Sequence, residues 1–226
     1  MISPFEFLNR ELKRRFERDY FNAVNKREEK FRRHINSFFS DENYSVCSKS
    51  LNIKTSKGST DIDAAVYDLE SDTLALFQLK WQDLFSTIKE RNSRINNLYP
   101  GVSKWLDKIE AWLNETKDEE LWKQLRFPIK RKPLKVYIFV VCRHNAFFSG
   151  IRPDNRAAWT SIWHLASLAE TKTIPKQNKI QFLYNEAKRN QKRIFNKVLK
   201  KGLFGKYKIG GVTFNLIAGN AIDNTK

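Results

Sequence analysis

Apolar positions along the chain repeat with two periods, and their order predicts the architecture. Phe21, Val24, Phe31, Ile35 and Phe38 fall at helical spacing inside a segment running from about Phe5 to Phe39, which makes one apolar helical stripe. Glu28 interrupts that stripe. Next come three runs of strand-like alternation at 44–55, 60–68 and 73–81, joined by turn residues at Lys57-Gly58 and Glu70-Ser71-Asp72. They predict a three-strand antiparallel meander.

Leu84, Ile88, Ile95 and Leu98 then mark a helix that should stop near Pro100-Gly101, and Val102, Trp105, Ile109, Trp112 and Leu113 mark another. The continuous β-branched and aromatic run KVYIFVVC, 135–142, predicts a strand covered on both faces. After it come a helix beyond Pro153-Asp154 (Ala157, Ile162, Leu165, Leu168), a long basic helix over about 176–201, and a closing strand or hairpin in KYKIGGVTFNLI. The expected fold is α/β, a mixed sheet flanked by helices, forming a single domain over 1–226. Its core covers about 20–145, and a basic helical extension with a closing strand covers 146–226.

Charge changes this picture. The net charge of +17 exceeds what solubility calls for and predicts a polyanionic partner, nucleic acid before an anionic membrane. Residues 186–208 carry nine Lys or Arg against Glu186, and RFPIKRKPLK (126–135) carries five against no acid. Arg189, Lys192, Arg193 and Lys197 form a basic face on the long helix, and Arg131 and Lys132 lie in the second cluster, both suited to phosphate contacts. The alternative for such a run is a solvated helix face. Trp159 and Trp163 share a helical face and are assigned to the core.

Cys47 and Cys142 form no C-x-x-C pair, and His34, His144 and His164 are scattered, which argues against zinc frameworks and histidine-metal chemistry. The glycines make no phosphate-binding loop. No apolar run reaches bilayer length and the N-terminus has no signal-type apolar stretch, so the expectation is an intracellular protein with no membrane partner.

Candidate chemistry lies in TDIDAAVYDLESDTLALFQLKWQ, 60–82. Alternation puts Asp61 and Asp63 on one face of their strand and Gln78 and Lys80 on one face of the next. A hairpin in which paired residue numbers sum to about 143 sets Asp63 opposite Lys80 and Asp61 opposite Gln82, with Asp68 and Asp72 left to the turn. A carboxylate, neutral oxygens and an ammonium at a strand end suit metal-assisted phosphodiester chemistry: hard oxygens hold Mg²⁺, and the ammonium orients water or stabilises phosphate charge.

These residues, Asp63 within Thr60-Asp61-Ile62-Asp63 followed by Gln78-Leu79-Lys80, resemble the PD-(D/E)xK restriction-endonuclease-like nucleases, in particular the Mrr-like branch with Gln in place of the acid. The resemblance spans the helix, three strands, helix and strand over about 20–145. It implies an Mg²⁺-dependent endonuclease, with Mn²⁺ able to substitute, acting on DNA in defence, restriction or recombination. It also implies roles: Asp63, Gln78 and the Leu79 carbonyl as metal ligands, Lys80 positioning water, and Glu28 as an assisting acid from the first helix, with Glu29 the alternative. Two other readings stay open: an inactive nucleic-acid-binding module of the same fold, and a basic structural subunit, as a homodimer or within a larger complex.

Overall fold

A computed structural model describes residues 4–81, 88–127, 133–144, 146–147, 152–171, 178–200, 205–209 and 212–216. Two helices, α1 (Pro4–Arg15) and α2 (Glu17–Asn36), lead through a 3-10 turn at Ser37–Phe39 into five short strands. These are β1 (Tyr44–Val46), β2 (Leu51–Thr55), β3 (Gly58–Ile62), β4 (Ala64–Asp68) and β5 (Thr73–Lys80). Helices α3 (Ile88–Glu115) and α4 (Asp118–Leu125) precede β6 (Lys135–Cys142) and β7 (Ala158–Ser161). Then follow α5 (Ile162–Ala169), α6 (Lys179–Lys200) and a hairpin of β8 (Gly205–Ile209) with β9 (Val212–Leu216).

The main sheet is mixed and five-stranded, in the order β1-β4-β5-β6-β7. β1, β4 and β5 pair antiparallel, whereas β5, β6 and β7 run parallel. Alternation sends Ala65, Tyr67, Leu74, Leu76, Val140 and Trp159 to one face, under α3, α4 and the β2-β3 hairpin. It sends Ala64, Val66, Ala75, Phe77, Phe139 and Val141 to the other, under α2, α5 and α6. Covered on both faces, β6 is the apolar run its sequence predicts.

The expected meander is altered in two ways. The first expected strand divides into β1, which joins the main sheet, and β2, which pairs only with β3. The second divides at Asp63: β3 belongs to the small sheet and β4 to the large one. The β4-β5 hairpin has a different register, with Ala64 facing Phe77 and Asp68 facing Thr73, so paired numbers sum to 141 and not 143. The turn explains it. Asp68 accepts hydrogen bonds from the Glu70 and Ser71 amides (3.0 and 3.3 Å) and the Ser71 hydroxyl (2.7 Å), closing a loop over Leu69 to Asp72. Asp72 accepts from the Tyr67 hydroxyl at 2.5 Å, so both acids are turn residues, as expected.

Two further expectations fail. The helix does not stop at Pro100-Gly101, for α3 is continuous over 28 residues with Pro100 inside it. Burial of Tyr99, Val102 and Trp105 on one side outweighs the backbone bond that proline removes. The segment after Pro153 forms strand β7 before its helix begins, so the sheet takes its edge strand from beyond residue 145. Arg156 anchors the approach to that strand, pairing with Asp154 (2.6 Å) and with Asp107 (2.7 Å) and Glu110 (2.8 Å) of α3. Its guanidinium holds the Asp154 carboxyl well below the usual carboxylate range.

A continuous α3 makes a sharp prediction. A Cβ at Gly101 would meet nothing within 4 Å. Gly101→Ala should therefore stabilise the protein by about 0.5–1 kcal/mol, measured by denaturant unfolding. Destabilisation by that substitution would mean that the helix ends there after all.

Candidate active site at the Asp63 strand break

Asp63 is the residue at which the chain leaves the β2-β3 hairpin and enters the main sheet, and every polar group on it is engaged differently. Its amide donates to the Phe77 carbonyl at 3.1 Å, continuing the β4-β5 ladder. Its carbonyl accepts from Arg32 Nε at 2.5 Å, a bond from α2 that pins the bend. Its carboxylate turns to β5, where Oδ2 accepts from the Leu79 amide at 2.6 Å and from Gln78 Nε2. Trp105 of α3 fixes the end of β3 by donating to the Asp61 carbonyl at 2.6 Å.

With the register at 141, Asp63 lies level with Gln78 and not opposite Lys80 as expected. Gln78 is buried, and Leu79 and Lys80 are half-buried as β5 leaves the core. Among the described residues Lys80 makes no ion pair with Asp63, although its charge does act on that carboxyl. Asp61 is exposed in the small sheet facing Asn52, so its expected position opposite Gln82 does not arise; Gln82 lies outside the described residues.

Burial is the main influence on the Asp63 carboxyl and pushes its pKa up to about 6. The Leu79 amide opposes this, Asp61 reinforces it, and Lys80 and Gln78 oppose it more weakly. The balance leaves a half-buried carboxylate that no lysine or arginine pairs with directly among the described residues. Among the described residues, no group of three or more His, Cys, Asp or Glu side chains gathers there or elsewhere in metal-binding geometry. One carboxylate with neutral oxygens nonetheless fits Mg²⁺, which keeps several waters and takes further oxygens from phosphates. In a strand the Leu79 carbonyl points to the same side as the Leu79 N-H, which is the side of Asp63.

Glu28 does not face inward as expected; it is exposed. Only part of its stripe is covered: Phe31 and Ile35 are buried, whereas Phe21 is exposed, and Glu28 lies one turn before Phe31 on the uncovered part. Glu29 pairs across the helix with Arg33 at 2.9 Å and is accounted for by that bridge. What α2 does send to Asp63 is Arg32, which the apolar-period reading missed because an arginine on a helix reads as solvated. Its spacing four residues from Glu28 was the available signal.

The basic residues divide as well. On α6, Lys192 and Arg193 are exposed, and exposed Arg189 pairs with Glu186. Lys188 serves the fold instead, donating to Asn155 and Ala157. The Lys197 side chain, Arg131 and Lys132 lie outside the described residues. Trp159 is buried as expected, but Trp163 is 55% exposed and not a core residue. No described helix is long and apolar enough to cross a membrane. Compared with family models, curated proteins and solved structures, the chain matches none.

The raised pKa carries a stability consequence with a definite sign. Asp63 is protonated more readily in the folded chain than in the unfolded one, so its contribution is fully present below pH 4 and is lost as pH rises through about 6. In EDTA, the stability of Asp63→Asn relative to the unsubstituted protein should therefore grow between pH 4 and 7, by on the order of 2–3 kcal/mol. Denaturant unfolding across that range measures it, and a gap that stays constant or shrinks would contradict the burial described.

Proposed function

We propose that the protein is a metal-dependent nuclease of the PD-(D/E)xK-like type that hydrolyses phosphodiester bonds in DNA. The observation that carries the reading is the half-buried Asp63 carboxylate, turned onto Gln78 and Leu79 where β5 leaves the core. The resemblance of Asp63 and Gln78-Leu79-Lys80 to the family motif and the charge of +17 support it further.

In this reading Asp63 is the main metal ligand, and the Leu79 carbonyl is the second. Gln78 adds a third oxygen when its amide turns over, exchanging the Nε2 that now faces Asp63 for Oε1. A magnesium ion so held, or manganese in its place, offsets phosphate charge and acidifies water. Lys80, next along the strand, carries the ammonium that orients the attacking water and stabilises charge on the phosphoryl oxygens. Glu28, exposed one helical turn before Arg32, would take part only through water or a second metal ion. Lys192, Arg193 and Arg189 supply phosphate contacts that hold the substrate without reading its sequence.

Gln78 also favours a second reading, a binding module of this fold that does not cut. Its amide satisfies Asp63 without any metal, which a glutamate could not do.

Plasmid, linear, single-stranded and branched DNA incubated with Mg²⁺, Mn²⁺ or EDTA tests both readings. We expect cleavage with either metal and none in EDTA, abolition in Asp63→Ala, and a rate lower by roughly 10²-fold or more in Lys80→Ala, with binding in EDTA largely retained. Undiminished cleavage by Asp63→Ala would overturn the assignment, and substrates that are bound in EDTA yet stay intact under every condition would favour the binding module.

A further inference from the structure

The carboxyl ends of the three parallel strands align, Lys80 beside Cys142 and Cys142 beside Ser161. Just beyond them lie Trp81, Arg143 and Trp163. The Arg143 guanidinium sits 5.3 Å from the Trp81 ring centre and 4.9 Å from that of Trp163, and its amide donates to the Lys80 carbonyl at 2.9 Å. Arg27 of α2 lies 5.8 Å from the Trp81 ring, and Phe31 meets that ring edge-on. Trp81 is 37% exposed and Trp163 55%, whereas Trp105, Trp112, Trp122 and Trp159 are all buried. Among the described residues no acid pairs with Arg143.

From this arrangement we infer that Trp81, Arg143 and Trp163 form a stacking platform for unpaired bases, so that the nucleic acid taken at this edge is single-stranded or locally unpaired. Trp163, half in solvent, offers an indole face to a base, and Arg143 and Arg27, both over the Trp81 ring, offer cations to the backbone, the combination that binds single strands irrespective of sequence. A duplex keeps its bases stacked on one another and cannot use those faces without opening. Lys80 ends β5, and Trp81, the next residue, packs against Phe31 and Arg27 of α2, so a strand crossing this edge sets a phosphate by Lys80 and its neighbouring bases by Trp81 and Trp163. Past Trp163 it reaches α6, where Arg193 is close enough to His164 to act on it electrostatically. That the bound strand is a substrate rests on the nuclease reading; that it binds here does not.

Fluorescence titration in EDTA separates the two. With four tryptophans buried, quenching by oligo(dT) or oligo(U) reports mainly on Trp81 and Trp163. Trp81→Ala and Trp163→Ala should each weaken single-strand binding by roughly 5- to 100-fold, leave affinity for a duplex of equal length within about twofold, and leave Trp81→Phe close to the unsubstituted protein. Trp163, half in solvent, can be truncated without disturbing the core, so the test survives a folding defect at Trp81. Unchanged single-strand affinity in Trp163→Ala, or equal losses on single and double strands, would overturn the platform even if the protein cuts DNA. The selective loss in a protein that cuts nothing would uphold it and remove only the nuclease reading.

Discussion

The structure turns on the hydrogen bonds that hold Asp63 at the junction of two sheets. A carboxylate taken out of water is costly unless polar groups meet it, and here the Leu79 amide and the Gln78 side chain both converge on one oxygen. Arg32 takes the carbonyl of the same residue from the opposite side, so α2, β4 and β5 are fixed to each other through a single position. Around it, Phe31, Ile35, Phe77 and Ile62 pack the two faces of the sheet with no exposed surface to speak of. This rigid frame leaves the carboxyl only partly compensated, and its pKa of about 6 expresses that deficit.

Much of this was legible in the sequence, because the strongest signals there are periodic. The runs at 73–81 and 135–142 become β5 and β6, and alternation correctly sets Gln78 and Lys80 on one face. Register was not legible. A slip of two residues, from 143 to 141, leaves every side chain on its own face, so the apolar pattern cannot detect it; the hydrogen bonds of Asp68 within the turn decide it. The split at Asp63 was hidden for a related reason, since an alternating run looks the same whether one sheet or two receives it.

Where helices are concerned, local chemistry misled in instructive ways. Pro100-Gly101 is a strong stop signal, yet packing of Tyr99 and Val102 carries α3 through it. Glu28 lies on the apolar stripe of α2 but is exposed, as is Phe21 earlier on that stripe, and periodicity says nothing about how far along a helix its cover extends. Trp163 illustrates the same gap: sharing a helical face with Trp159 was meaningless once Trp159 proved to lie in a strand. In each case the missing information was the extent of a neighbour. The positive charge, by contrast, was visible from composition alone, and the exposed Lys192 and Arg193 put part of it on α6.

The account depends on Asp63 being a desolvated carboxylate able to take a cation, and its own titration reads that most directly. Carbon-detected NMR of the Asp63 carboxyl, assigned by comparison with Asp63→Asn, should show a midpoint near pH 6 in EDTA that falls when Mg²⁺ is added. A midpoint near 4 that ignores Mg²⁺ would contradict it.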